Sequence, residues 1–159
     1  MIKTLFTIGY TGLTLDEFVE HLVVANVESL LDVREIPISR KRGFSKNALA
    51  EKLEESGIHY RHFKWLGSPK VLRHEVRETR DYHTFFRGVA RHLRQPLSAA
   101  HLEEALEMAR QERCCLMCCC EDWQFCHRRC VVDEMLKKQH FTVVHLSEPV
   151  ISKAKRKAA

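Results

Sequence analysis

Apolar and polar positions switch between two periods along the chain. Leu5-Phe6-Thr7-Ile8 is a short β-prone run that stops at Gly9-Tyr10-Thr11-Gly12, so it predicts a first strand and a turn. Thr14-Leu-Asp-Glu then reads as a capping box, with Leu15, Phe18, Val19, Leu22 and Val23 following at helical spacing. Ser29 to Val33 has a buried-strand pattern that ends at Arg34, and Pro37 and Gly43 keep residues 36–44 out of regular structure. Ser45 stands where it can cap a helix bearing Leu49 and Leu53 and stopped by Gly57. Ile58 to Phe63 alternates, as a third strand does.

Residues 64–81 are charged, contain Gly67 and Pro69, and read as a long loop. Phe85, Phe86, Val89, Ala90 and Leu93 mark a helix ended near Pro96, and Ser98 is positioned to cap another with Leu102, Ala105, Leu106 and Ala109 on one face. Cys114 to Cys120 is a run of small apolar residues bounded by Arg113 and Glu121, a length that suits a buried strand. After a turn at residues 122–125, Cys126 starts a helix with Val131, Val132, Met135 and Leu136, and Thr142 to Leu146 forms the last strand. Strands alternating with helices predict an α/β fold, with a mainly parallel sheet of about five strands flanked by helices on both faces. In such folds ligands sit beyond the carboxyl ends of strands, which selects Gly9–Thr11, Asp32–Arg42 and Glu121–Arg129.

Composition narrows the class. The chain has 159 residues, 45% hydrophobic and 30% charged, which fits a single domain over residues 1–150 and excludes disorder as the main state. The net charge of +5 invites a nucleic-acid reading, but Lys153, Lys155, Arg156 and Lys157 supply four of those charges. The basicity belongs mainly to a flexible C-terminal tail over residues 151–159. No apolar run approaches the ~20 residues of a membrane span, and the N-terminus lacks the apolar core and cleavage site of a signal peptide. Seven cysteines, five of them within residues 114–120, are odd in number and crowded, unlike a secreted disulfide framework. A cytoplasmic, cysteine-rich chain with reduced thiols and no membrane partner is expected. The sequence requires no cofactor.

Two segments carry candidate chemistry. In Asp32-Val-Arg-Glu-Ile-Pro-Ile-Ser-Arg-Lys-Arg-Gly-Phe-Ser, arginine forks and serine hydroxyls suit phosphate or carboxylate oxygens, and the N–H groups after Ser45 add a helix-terminus anion site. Asp32 is a candidate general base, an orienting partner for an arginine, or a loop anchor. In Cys118-Cys-Cys-Glu-Asp-Trp-Gln-Phe-Cys-His-Arg-Arg-Cys, a thiol at a helix start beside Arg128 makes Cys126 a candidate nucleophile or redox thiol. His127 is a candidate proton carrier and Glu121 a general acid or base. Strand alternation sends Cys114, Cys118 and Cys120 to one face and Cys115 and Cys119 to the other, where they pack as small hydrophobes; Cys130, one turn from Cys126, packs as well. Cys115-x2-Cys118 has finger-like spacing, but a strand points the two side chains apart. No metal is required; a site, if present, is expected at Cys119, Cys126 and His127.

Thr7-Ile-Gly-Tyr-Thr, Leu31-Asp-Val-Arg-Glu-Ile-Pro-Ile-Ser-Arg, Phe44-Ser, Gly57-Ile-His-Tyr, Leu66-Gly-Ser-Pro and Leu116-Met-Cys-Cys-Cys-Glu with Cys126-His-Arg resemble, in order, the DUF488 family over roughly residues 5–147. The resemblance implies hallmark roles for Gly9, Tyr10, Asp32, Arg34, Pro37, Ser39, Arg40, Cys119, Glu121, Cys126, His127 and Arg128, and no established reaction or cofactor. Ser68 stands where such proteins usually carry a second glycine. Cys119 is matched to the family's single usual cysteine because one residue then separates it from Glu121.

Three functions remain open. The favoured one is an enzyme on a phosphate-bearing substrate, a nucleotide or nucleic-acid end. Asp32, Glu121, Cys126 and His127 are its candidate catalytic residues, and Tyr10, Arg34, Ser39, Arg40, Trp65 and Arg128 its candidate anion and substrate contacts. The second is a non-catalytic nucleic-acid-binding module using the tail, Arg40-Lys-Arg42 and the arginines of residues 73–94. The third is a thiol or metal redox sensor built on Cys119, Cys126 and His127.

Overall fold

Cys114-Cys-Leu-Met-Cys is apolar at every position because it forms the middle strand, buried on both faces. The computed structural model describes residues 1–146; the expected basic tail, 151–159, lies outside them. The strands are β1 (Lys3–Gly9), β2 (Ser29–Asp32), β3 (His59–His62), β4 (Cys114–Cys118) and β5 (Phe141–Leu146), and the helices are α1 (Leu15–Val24), α2 (Lys46–Glu55), α3 (Lys70–Thr79), α4 (Tyr82–Leu93), α5 (Pro96–Gln111) and α6 (Arg128–Leu136). Every pairing is parallel, in the order β3-β2-β4-β1-β5. The edge strands β3 and β5 alternate in burial, as strands with a solvated face do.

Each face of the sheet has its own core. Phe6, Ile8, Leu30, Cys115 and Met117 pack against Phe18 and Leu22 of α1 and Leu49 and Leu53 of α2. Leu5, Leu31, Leu116, Cys114 and Cys118 face Val89 of α4, Leu102 and Leu106 of α5, and Val131 and Met135 of α6. The strand cysteines therefore divide between the faces as alternation requires. Thr14 caps α1 through the expected capping box: its hydroxyl accepts from the Glu17 N–H, and the Glu17 side chain accepts from the Thr14 N–H.

Four local expectations change. Residues 64–81 are not a loop but a 3-10 turn at Lys64–Leu66 followed by α3. Helix α3 has no buried residue, and only Leu72 and Val76 lean on the core, so it lacks the apolar stripe that announces a helix. Helix α5 begins at Pro96 rather than after Ser98, with proline in the first turn where its missing N–H costs nothing. Strand β4 ends at Cys118, two residues early. Helix α6 begins at Arg128 because a 3-10 turn occupies Trp123–Phe125.

Strand β1 is held against the segment after β4. Gly9 is in register with Cys118, and the N–H groups of Tyr10 and Thr11 donate to the carbonyls of Cys118 (3.2 Å) and Cys119 (3.0 Å). A Cβ on Gly9 would lie 1.7 Å from the Cys120 carbonyl oxygen. Gly9→Ala is expected to cost about 2–3 kcal/mol, read as a lower urea midpoint at unchanged slope. An unchanged midpoint contradicts the close approach.

Candidate functional site

The exits of β1, β2 and β4 meet at one end of the sheet. On β2, Asp32 is fully buried and uses both carboxylate oxygens. Its Oδ1 accepts from Arg34 Nε (2.9 Å) and from the Arg34 N–H (3.1 Å), and its Oδ2 accepts from Arg34 Nη2 (2.8 Å) and the Tyr60 hydroxyl. Arg34 is only 6% exposed, and its Nη1 reaches the Tyr10 hydroxyl at 3.4 Å. Burial opposes the Arg34 charge, but Asp32 outweighs it and holds the guanidinium protonated beyond its ordinary range. The Tyr60 hydroxyl is pushed up by burial and by the Asp32 charge, so it stays a donor. Tyr10 is fixed by stacking on Phe44, with ring centroids 4.5 Å apart.

The second cluster joins β4 to the start of α6. His127 Nε2 donates to the Val33 carbonyl at 2.6 Å, which leaves Nδ1 facing two sulfurs, Cys118 Sγ at 3.5 Å and Cys126 Sγ at 3.9 Å. All three side chains are buried. Contacts with the Cys119, Cys120 and Cys126 thiols, aided by the imidazolium charge and opposed by burial, hold Cys118 well below the ordinary thiol range. Burial disfavours a charged His127, yet the Cys118 thiolate overcomes that and raises its pKa. Contact with Cys118 pushes Cys119 up to about 11. The arrangement supplies a nucleophile, a base, and a carbonyl that orients the base. All seven cysteines are free.

Both clusters border a cavity of about 400 Å3. Tyr10, Arg34, Cys118 and His127 reach it from the strand exits, and Cys119 and Cys120 join them at the floor. Helix α3 supplies Arg73, Arg77 and Arg80. Arg73 is paired with Glu35 at 3.0 Å, whereas Arg77 and Arg80 are exposed and form no ion pair among the described residues. Arg80 closes α3 in the left-handed conformation (φ 57°), uncommon for a side chain of its size. Tyr82, Phe85 and Phe125 form an apolar wall.

Of the residues expected from the sequence, Tyr10, Arg34, Cys119 and His127 line this cavity. Asp32 stands behind Arg34, and Cys126 stands behind His127. The structure does not bring the others in. Arg128 turns inward, fully buried, and donates to the carbonyls of Cys120 (2.5 Å) and Glu121 (3.3 Å) and to Thr7 Oγ1 (3.2 Å). Glu121 is exposed outside the lining. The Ser39 hydroxyl accepts from the Lys41 N–H, and Ser45 bonds Ser39 rather than capping α2. Arg40 is exposed away from the cavity, and Trp65 sits in the 3-10 turn beside His101. Among the sulfurs, Cys118 rather than Cys119 groups with Cys126 and His127. Sequence reading treated Cys118 as packing, and it put the α3 arginines on a loop and gave them a phosphate role only in the nucleic-acid-binding reading. Their spacing at 73, 77 and 80 already described one helical face.

Residues 14–135 match the family described as "Domain of unknown function DUF488". The chain belongs to that family. The DUF488 match begins after the Thr7–Thr11 motif and ends before β5, a narrower span than residues 5–147, and it includes every cavity residue except Tyr10. No match was found among curated proteins or among solved structures. Among the described residues, no helix is long and apolar enough to cross a membrane.

Proposed function

We propose that the chain is an enzyme acting on a phosphate-bearing substrate, a nucleotide or a nucleic-acid end. One observation carries the reading: arginines with no ion pair among the described residues and the Cys118–His127 pair face the same volume. That volume falls within the ~300–1,000 Å3 usual for small-molecule sites. Arg77 and Arg80 offer guanidinium forks to phosphate oxygens, and Arg34, held by Asp32, presents a fixed charge beside them. Tyr82, Phe85 and Phe125 give a base or sugar an apolar surface. Cys118 and His127 are the reacting end, with the imidazole taking the thiol proton. Asp32 and Tyr60 act through Arg34, as positioning residues.

Calorimetric titration with nucleoside monophosphates and with inorganic phosphate tests the reading. Binding is expected to weaken as salt rises, and Arg77→Ala and Arg80→Ala are each expected to weaken it about tenfold or more. Absence of binding across the panel, or affinity indifferent to both substitutions, overturns it.

A further inference from the structure

We infer that Cys118, Cys126 and His127 form a site for one transition-metal ion, with zinc(II) the first candidate, whose fourth position opens onto the cavity. The donor atoms of the three residues lie within 4.8 Å of one another. Their separations fit a shared ion. Tetrahedral bonds of ordinary zinc–sulfur and zinc–nitrogen length put sulfur and nitrogen about 3.6 Å apart. The observed distances from His127 Nδ1, 3.5 Å to Cys118 Sγ and 3.9 Å to Cys126 Sγ, bracket that value.

The histidine is oriented as a ligand is. Its Nε2–H is tied to the Val33 carbonyl at 2.6 Å, the outer contact that fixes ring and tautomer in metal-bound imidazoles. Nδ1 is thereby turned toward both sulfurs. Cys118 ends the central strand, and Cys126 and His127 lie in the turn that directly precedes α6.

The donor set selects the ion. Two thiolates and an imidazole suit zinc and other borderline or soft ions, whereas magnesium and calcium require oxygen ligands. Loading replaces two protons, one from the Cys118–His127 pair and one from Cys126, with one dication, which leaves a neutral centre in buried surroundings. Cys118 and His127 border the cavity and Cys126 does not, so the remaining coordination position faces the arginine-lined space. Three protein ligands and one open position is the pattern of catalytic zinc. Cys119 and Cys120 share Cys118 in a second group that includes neither Cys126 nor His127, so they are left out of the set.

The ligand geometry stands by itself; its catalytic meaning rests on the proposed substrate alone, because a loaded ion would hold Cys118 and His127 as ligands in place of nucleophile and base, and a water or a substrate oxygen would take the open position. The test uses the full chain, reduced and stripped by chelator, titrated with Co2+ and then Zn2+. One equivalent is expected to bind, with sulfur-to-cobalt charge-transfer and tetrahedral ligand-field bands that Zn2+ abolishes. Cys118→Ser and Cys126→Ser are each expected to weaken Zn2+ binding by more than about 100-fold, beyond the loss caused by removing an outer-shell partner. Cys119→Ser and Cys130→Ser are expected to leave it unchanged. Binding well below one equivalent overturns the site, and so does a loss with Cys119→Ser equal to that with Cys118→Ser. If a variant does not fold, X-ray absorption on the zinc-loaded unsubstituted chain reads the donors directly: two sulfurs and one imidazole support the site, and four sulfurs or none overturn it. Nucleoside monophosphate titration of the metal-free chain separates the two ideas. Phosphate binding without a metal site removes only the metal, whereas a metal site without phosphate binding removes only the proposed substrate.

Discussion

Asp32→Ala is expected to lower the unfolding free energy by about 3–5 kcal/mol, the range for removing one partner of a buried ion pair. The carboxylate is fully buried and accepts four hydrogen bonds, three from Arg34 and one from Tyr60. Without it the guanidinium stays charged and buried, with Nε and Nη2 lacking acceptors, and the Tyr60 hydroxyl loses its partner. Asp32→Asn keeps the shape and removes the charge, so an intermediate loss is expected. Replacing both members, Asp32→Ala with Arg34→Met, should recover part of the loss, because the cost lies in the stranded cation rather than in the absent attraction. Urea denaturation of the set provides the cycle. A loss under about 1 kcal/mol for Asp32→Ala is what a solvated surface pair would give, and it would contradict the buried geometry.

The second large effect is at Arg128. Arg128→Met keeps most of the side-chain bulk and removes every donor. The carbonyls of Cys120 and Glu121 and the Thr7 hydroxyl each lose a charge-assisted contact. At about 1–3 kcal/mol for each unsatisfied buried group, a loss of about 4 kcal/mol is expected. The Thr7 hydroxyl, no longer accepting from Arg128, remains a donor to His145 Nδ1 at 2.6 Å. That imidazole, stacked on Trp123 at 4.0 Å, is held toward its neutral form by burial and by the Arg128 charge. Its pKa is therefore expected to rise in the variant, which a proton NMR titration of the histidines measures. The same variant is expected to loosen the Cys119–Glu121 turn, seen as faster alkylation of Cys119 and Cys120. A stable variant with an unmoved His145 would show that Arg128 supports neither.

What could be read from the residues, and what could not, follows from how each signal arises. Strand β4 was legible because a central parallel strand has no solvated face, and Thr14 with Glu17 was legible because a capping box is a local device. Asp32, Arg34 and His127 were singled out because strand exits are where such folds bind ligands. Helix α3 escaped because it has only a thin contact with the core and is charged elsewhere, so its periodicity lies in Arg73, Arg77 and Arg80 rather than in leucines. Arg128 was misleading because sequence cannot say whether a cation turns toward solvent or toward a carbonyl. Cys118 was treated as packing because alternation correctly puts it in the core, yet the end of a strand is where core and cavity meet.

The segment leaving β2 has one more implication. Consecutive carbonyls there receive two imidazoles: Val33 takes Nε2–H of His127 at 2.6 Å, and Arg34 takes Nε2–H of His62 at 2.7 Å. The cavity-facing guanidinium and the anchor of the sulfur-facing ring thus grow from adjacent residues joined by a single planar peptide unit. Covalent geometry, more than loop packing, sets their spacing. The two halves of the site thus share one mounting on the β2 exit, with Asp32 setting where the guanidinium points and one hydrogen bond tying the ring to the same strand end.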